Sequence, residues 1–343
     1  MTSLPQRTKH QICEVVAEWR QMRGKTASST IALVNPPTSP LAAALEKVAA
    51  PLNVEPCSYL AAEDGAAVRL PSGEGALAGA VIFASKQRLE TLGLAARLHE
   101  RIEPGGLLLF CCPNALGAKG FQGRFEKAFE TVRVHLAHSW RLLELSGLTA
   151  EGARMLAEWR GQTAAQLIPG TTFHTVPGIY GWNKIDAGSR LLVDSISWPL
   201  RGRGLDLGCG YGYLSSEALS RSQAITALTL VDHDWRALEC ARQNLETFAV
   251  AKEFVWTGVR QFRPKAPVEW VLLNPPFHTG QQMDLTLGRA FIAAAHGALQ
   301  PRGVLYLVAN SFLPYADLLR TLFAQVEPLR SADGFTVFRA EKE

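Results

Sequence analysis

Hydrophobic positions along this chain recur in two rhythms. Over residues 11–22, Ile12, Val15, Val16 and Trp19 fall at helical spacing, and residues 31–34 are a short continuous apolar run. That run stops at Asn35-Pro36-Pro37, whose prolines deny a strand its ladder donors. Residues 41–49 carry a short helical pattern. Residues 51–75, rich in Pro, Gly and Ala, carry little periodicity. The pattern then sharpens. Residues 80–84 read as a buried strand, 87–101 as an amphipathic helix, Pro104-Gly105-Gly106 as a turn and 107–111 as a strongly apolar strand, which together make a βαβ unit. A further helix is expected over 121–129. Residues 132–145 fit sheet or helix equally. Residues 150–180, with the turn pairs Pro169-Gly170 and Pro177-Gly178, read as a connector and approach segment.

The second half alternates more regularly. Residues 189–196 are helix-like, and after Pro199 strands are expected at 204–207, 227–231, 254–257, 268–273 and 304–309. Helices fill the intervals, through Leu219, over 235–248 and over 285–299, and 326–338 predicts closing antiparallel strands. Continuous apolar strands alternating with helices indicate a parallel sheet covered on both faces. The turn within residues 102–107 resembles that within 299–304, and both halves hold a strand ending in Asn-Pro-Pro, which hints at an internal duplication. The fold expected is α/β, two tandem Rossmann-like domains at 1–160 and 161–343.

Composition narrows this only slightly. A chain of 343 residues, 47% of them hydrophobic, can bury the cores of two domains. No apolar run reaches the ~20 residues of a membrane span, and no signal-peptide core follows Arg7 and Lys9, so a cytosolic protein with no membrane partner is expected. Six cysteines, without a CxxC pair, point to buried thiols rather than disulfides or a metal site. A net charge of +4 leans weakly toward an anionic partner, so any basic surface is local. Lys119, Arg124 and Lys127 form either such a patch or a solvated helix face.

Chemistry concentrates in Leu205-Asp206-Leu207-Gly208-Cys209-Gly210-Tyr211-Gly212, between an apolar strand and a helix. Gly208 permits a tight turn, while Gly210 and Gly212 let backbone approach a ligand and the helix pack closely. Asp232 ends the next strand, where a carboxylate can accept from both ribose hydroxyls. Capping the helix before Trp235 is a compatible alternative, and ligand contact is the favoured reading. Asp206, beside the glycine turn, can accept from an amine or organise the loop. These acids suit a nucleoside with a zwitterionic amino-acid tail, S-adenosylmethionine, better than the pyrophosphate of a nicotinamide or flavin nucleotide. Residues 257–259 are placed to face the adenine.

The fourth strand of the second half ends in Asn274-Pro275-Pro276-Phe277, at the carboxyl edge where open α/β sheets bind ligands. The Asn274 side-chain oxygen and the Pro275 carbonyl can each accept one hydrogen of a planar exocyclic NH₂, and Phe277 can stack on the attached base. The sulfonium methyl is already activated, so alignment is the main task. Alternatively the prolines only stiffen a loop. His278, Trp182, Asn183 and Lys184 fit contact or local packing equally well.

The run from Asp206 to Gly212, Asp232 and the tetrapeptide resemble methyltransferases that modify amino groups of bases or glutamine. With His278, with Ile179-Tyr180 and Asp186-Ala187-Gly188-Ser189-Arg190-Leu191-Leu192, and with Ala309-Asn310-Ser311-Phe312-Leu313-Pro314-Tyr315, the chain resembles the ribosomal RNA guanine-N2 methyltransferases more closely. The resemblance implies a catalytic second domain, with Asp186 joining the cofactor-binding residues and a guanine of small-subunit (16S) RNA as substrate. It also implies a degenerate first copy of the fold that positions RNA and supports folding, on the match of Gly117-Ala118-Lys119-Gly120 and Arg124. Three other readings stay open: a large-subunit RNA guanine, a protein glutamine or DNA adenine amine, and a non-catalytic RNA-binding role.

Overall fold

Short runs of aliphatic and β-branched residues between Pro, Gly and Asn form the strands, and the computed structural model describes residues 4–22, 28–36, 40–58, 76–276, 278–279, 282–283 and 285–343. Two compact units result, one ending at Ala164 and the other spanning Ala165–Glu343.

The first unit runs α1 (Gln6–Met22), β1 (Thr30–Val34), α2 (Pro40–Ala49), β2 (Asn53–Cys57), β3 (Leu77–Phe83), α3 (Arg88–His99), β4 (Ile102–Pro113), α4 (Ala118–Ala128), β5 (Phe129–Ala137), β6 (Trp140–Leu148) and α5 (Ala150–Gln162). Its sheet order is β2-β1-β3-β4-β6-β5, parallel as far as β4 and closed by an antiparallel hairpin. Alternate strand residues serve opposite faces. Leu33, Val81 and Leu109 pack with α1 and α2, while Val34, Ile82 and Phe110 pack with α3, α4 and α5. Residues 132–145, open between sheet and helix, lie in the β5–β6 hairpin, which turns at His138 with φ 55°. The expected connector over 150–162 is corrected to helix α5. The Thr149 hydroxyl caps it, accepting from the Gly152 N–H at 2.8 Å, and it buries Leu156 and Trp159.

The second unit begins with a short ribbon, β7 (Gln166–Leu167) and β8 (His174–Thr175). It continues as α6 (Ala187–Ser195), β9 (Arg201–Leu207), α7 (Tyr213–Arg221), β10 (Ala224–Asp232), α8 (Trp235–Asn244), β11 (Ala251–Trp256) and β12 (Val268–Leu273). A second ribbon, β13 (His278–Thr279) and β14 (Gln282–Met283), precedes α9 (Leu285–Ala298), β15 (Leu299–Asn310), α10 (Tyr315–Leu322), β16 (Gln325–Ala332) and β17 (Phe335–Glu341). The sheet order is β11-β10-β9-β12-β15-β17-β16, with the last two strands antiparallel. Trp270 and Leu272 face α6, α7 and α8, whereas Val271 and Leu273 face α9 and α10. The chain order reverses at β9 and β12, so the loops after these strands form the crevice in which open sheets hold ligands.

Register makes the duplication explicit. Residue 77 pairs with 102 and residue 79 with 107, just as 268 pairs with 299 and 270 with 304, so the Pro-Gly-Gly and Pro-Arg-Gly turns occupy one position. Gly105 (φ 75°) and Arg302 (φ 63°) share its left-handed step. The Asn-Pro-Pro repeat, however, is not part of the duplication. Asn35 follows β1, the counterpart of β9, and its N–H donates to Cys57 O as that of Gly208 donates to Val231 O, both at 2.8 Å. Pro37 and Thr38 lie outside the described residues. Carrying the pairing along, Leu33 occupies the position of Asp206, Asn35 that of Gly208, Ser58 that of Asp232 and Phe83 that of Asn274.

No helix among the described residues is long and apolar enough to cross a membrane. No group of three His, Cys, Asp or Glu among them could hold a metal ion.

Candidate functional site

The loop after β9 is built on backbone that side chains disfavour. Gly208, Gly210 and Gly212 have φ of 83°, 54° and 88°, in the left-handed region that costs an L-residue about 1–2 kcal/mol. The Gly208 and Cys209 N–H groups donate to Val231 O at 2.8 and 3.0 Å, which pins the loop to the end of β10. A Cβ built on Gly210 would meet nothing within 4 Å, so this residue turns bare backbone toward open space.

Two carboxylates flank that loop in contrasting surroundings. Asp206 is fully buried within β9. Its Oδ2 accepts from the Ser215 hydroxyl at 2.6 Å, while its Oδ1 is buried with no hydrogen-bond partner among the described residues. Burial pushes this carboxyl up to about 7, with Asp232 adding to the rise and Ser215 opposing it. Asp232, at the end of β10, accepts from the Gly210 N–H through Oδ2 and from the Asp234 N–H through Oδ1, both at 2.9 Å. The His233 ring lies 3.2 Å from that Oδ1. Asp232 is not the cap of α8. Asp234 caps it, accepting from the Arg236 N–H at 2.9 Å. Asp232 therefore holds the loop and keeps acceptor capacity to spare.

A pocket of about 690 Å³, counting the solvent at its mouth, opens beside Gly208 and Asp232. Val231, Val259, Leu287 and Phe291 give it apolar walls, and Gly208, Asp232, Thr257 and Gly258 line its polar side. Leu287 and Phe291 come from α9 and were not singled out from the sequence, where their i, i+4 spacing reads as ordinary core. A flat apolar slot beside a carboxylate fits a purine nucleoside. The unpartnered buried oxygen of Asp206 fits a cationic group at the nucleoside's other end.

Asn274, directly after β12, is half-buried, Pro275 is buried and Pro276 lines the pocket. Phe277, the proposed stacking residue, lies outside the described residues, as does the side chain of His278. The Asn274 amide nitrogen donates to Asp186 Oδ2 and to the Ser189 hydroxyl, each at 2.8 Å. Asp186 caps α6, accepting from the Ser189 N–H at 2.8 Å, and its Oδ1 accepts from the Tyr180 hydroxyl at 3.0 Å. The structure thus gathers Asp206, Gly208, Gly210, Gly212 and Asp232 around one loop, and joins Asp186 to Asn274. Trp182 packs on the core, while Asn183 and Lys184 are exposed. In the first unit, Lys119 and Lys127 are exposed on α4, and half-buried Arg124 donates back to Gly120 O at 2.9 Å.

Residues 170–339 match the family model described as the methyltransferase small domain. Proteins named ribosomal RNA small subunit methyltransferase C are similar. The one from Yersinia pestis (strain Pestoides F) is 36% identical over 173 residues, covering 50% of this chain and 49% of its own. The one from Escherichia coli O1:K1 / APEC is 36% identical over the same span, covering 50% of each chain. This chain's match therefore spans about half the length of these curated relatives. Among solved structures, the T. thermophilus 16S rRNA N2 methyltransferase RsmC, in complex with AdoMet and guanosine, aligns over 96% of this chain and 92% of its own, with a TM-score of 0.72 and 23% identity. That alignment shows the tandem methyltransferase-type α/β fold across the chain.

Proposed function

We propose that this chain transfers a methyl group from S-adenosylmethionine to the exocyclic N2 amine of a guanine in small-subunit (16S) ribosomal RNA. Residues 165–343 are its catalytic unit, and the first unit is a degenerate copy that positions RNA and supports folding. Such a substrate sets the reaction in the cytoplasm. The observation that carries this reading is the anchoring of Asn274. Its amino group is spent on Asp186 and Ser189, which leaves its oxygen as an acceptor at the carboxyl edge of the sheet.

The donor, when bound, supplies an activated sulfonium methyl, so this chain's contribution is binding and alignment. Asp206 accepts from the cationic amine of the donor's tail, Asp232 from its ribose hydroxyls, and Val259 and Phe291 flank its purine. The glycine loop gives the donor room to approach the backbone. Asn274 Oδ1 and the Pro275 carbonyl each accept one hydrogen of the guanine amine, which turns the nitrogen lone pair toward the methyl group. Phe277 is assigned the stacking contact with the base, about 1–3 kcal/mol in such sites. The product's extra proton is left to water.

Guanine is favoured over a glutamine or adenine amine because relatives named for small-subunit RNA, and a solved neighbour holding guanosine, share the second unit's sequence or the whole fold. Mass mapping of nucleosides in both ribosomal RNAs, from cells with and without this protein, tests the assignment. Loss of one N2-methylguanine from small-subunit RNA is expected. Unchanged small-subunit RNA, or a loss from the large subunit, refutes it.

A further inference from the structure

An asparagine can act as an acceptor only while its oxygen, and not its amino group, faces the substrate. The two ends of a carboxamide are nearly isosteric, and half a turn about the last side-chain bond exchanges them. A flipped Asn274 would present NH₂ to an incoming NH₂. We infer that Asp186 is a positioning residue that locks the carboxamide of Asn274 with its oxygen toward the substrate amine, an inference that rests on the acceptor role proposed above for Asn274.

The argument is one of donors and acceptors. Asp186 Oδ2 stands 2.8 Å from Asn274 Nδ2, and a carboxylate has no hydrogen to give. Flipping the amide would set oxygen against oxygen at that distance. Ser189 Oγ touches the same nitrogen at 2.8 Å but cannot choose, because a hydroxyl donates as readily as it accepts. Asp186 is itself fixed. The Ser189 N–H donates to Oδ2 at 2.8 Å and the Tyr180 hydroxyl to Oδ1 at 3.0 Å. The Tyr180 ring is largely exposed, but desolvation around its hydroxyl and the Asp186 carboxylate beside it push the phenol upward, so it remains a donor. With three donors on its oxygens, Asp186 is directed at the amine-binding side of the site rather than at the donor.

Asp186→Ser separates this role from helix capping, because Ser and Asp cap about equally well. The hydroxyl can donate to an Asn274 oxygen as readily as it accepts from the amino group, so the lock is lost while α6 keeps its cap. On under-modified small-subunit particles, single-turnover transfer is expected to fall at least about tenfold, with the S-adenosylmethionine dissociation constant within about twofold of wild type. Ser189→Ala is expected to cost less than about threefold. In an Asn274→Ala background, Asp186→Ser is expected to add no further loss, whereas a merely structural role gives additive losses. Asn274→Asp alone sets two carboxylates face to face. Combining it with Asp186→Ser restores a donor opposite an acceptor and should recover transfer above Asn274→Asp.

The lock also has a readout independent of activity. The side-chain amide signal of Asn274 in a ¹H–¹⁵N spectrum, identified by its absence in Asn274→Ala, should be protected from exchange in wild type and in Ser189→Ala, and unprotected in Asp186→Ser. An unprotected wild-type amide, an unchanged rate in Asp186→Ser, or additive losses overturns the inference. A protected amide in a wild-type protein that methylates no guanine sustains the lock and removes the guanine reading instead.

Discussion

Replacing Asp206 with Asn should remove a pH dependence that the wild-type protein carries in both stability and donor affinity. Burial raises this carboxyl from 3.8 to about 7. The native state therefore holds the proton to higher pH than the unfolded chain does. The group's contribution to stability is full below about pH 4 and fades as pH rises through about 7. At 1.36 kcal/mol per pH unit the whole change is bounded at about 4 kcal/mol. Other groups titrate nearby in both senses. His99 and His296 are lowered by burial, and His233 is raised through Asp232. Their effects cancel in the difference between wild type and Asp206→Asn, whose amide oxygen can still accept from Ser215. Urea midpoints measured from pH 4 to 8.5 should give a difference curve that climbs in favour of the variant and levels off above pH 7. Calorimetric titration with S-adenosylmethionine should show the reverse cost. Wild-type affinity should weaken about tenfold per pH unit below 7, where the carboxylate must lose a proton before it meets the amine, and the variant should bind weakly at every pH. Parallel urea curves would refute the reasoning, because Asp206 would then be ionised throughout.

Asp232→Ala should weaken donor binding about a hundredfold by titration and also lower the thermal midpoint, because the Gly210 and Asp234 N–H groups lose their acceptor. Asn274→Ala should leave donor affinity unchanged while single-turnover transfer falls about a hundredfold, roughly 3 kcal/mol at the transition state; a fall matched by lost donor affinity would move Asn274 into the cofactor site. Donor should bind with a stoichiometry of one per chain, and a second site by calorimetry would show that the first unit is not degenerate.

Legibility in the sequence followed burial. Strand β12 begins and ends where its apolar run does, because it is covered on both faces and Glu269 alone interrupts its buried apolar residues. Strand β5 is an edge strand with most residues exposed or half-exposed, so its pattern carried no period. Helix α5 was hidden by Gly152, a poor helix former by propensity. The structure explains that glycine: a Cβ there would sit 1.9 Å from the Ala128 carbonyl oxygen, so close packing on the preceding helix end requires it. The glycine loop and its acids were readable because they are local, a strand end and the turn after it. The partners of Asn274 were not, since Asp186 and Ser189 lie 88 and 85 residues away and meet it only once α6 has packed on the sheet. Asp186 was carried over by resemblance as a cofactor residue. The lock inferred above gives it a second role, on the side of the substrate amine.

The duplication supplies a comparison that mutagenesis would otherwise have to make. Leu33 and Asp206 occupy one position in two sheets of the same order, and both are fully buried. The fold therefore does not need an acid there; a leucine fills the position and gains the burial energy of an aliphatic side chain, about 1.5–3 kcal/mol. The second unit instead keeps a carboxylate whose ionised form burial disfavours and whose Oδ1 meets no donor. Phe83 likewise fills the position of Asn274 with an apolar side chain, while Ser58 stands where Asp232 also holds the glycine loop. A fold that is complete with a leucine at the Asp206 position has no structural use for the orphaned oxygen, and that free acceptor is what the role proposed for Asp206, binding the cationic amine of the methyl donor, makes use of.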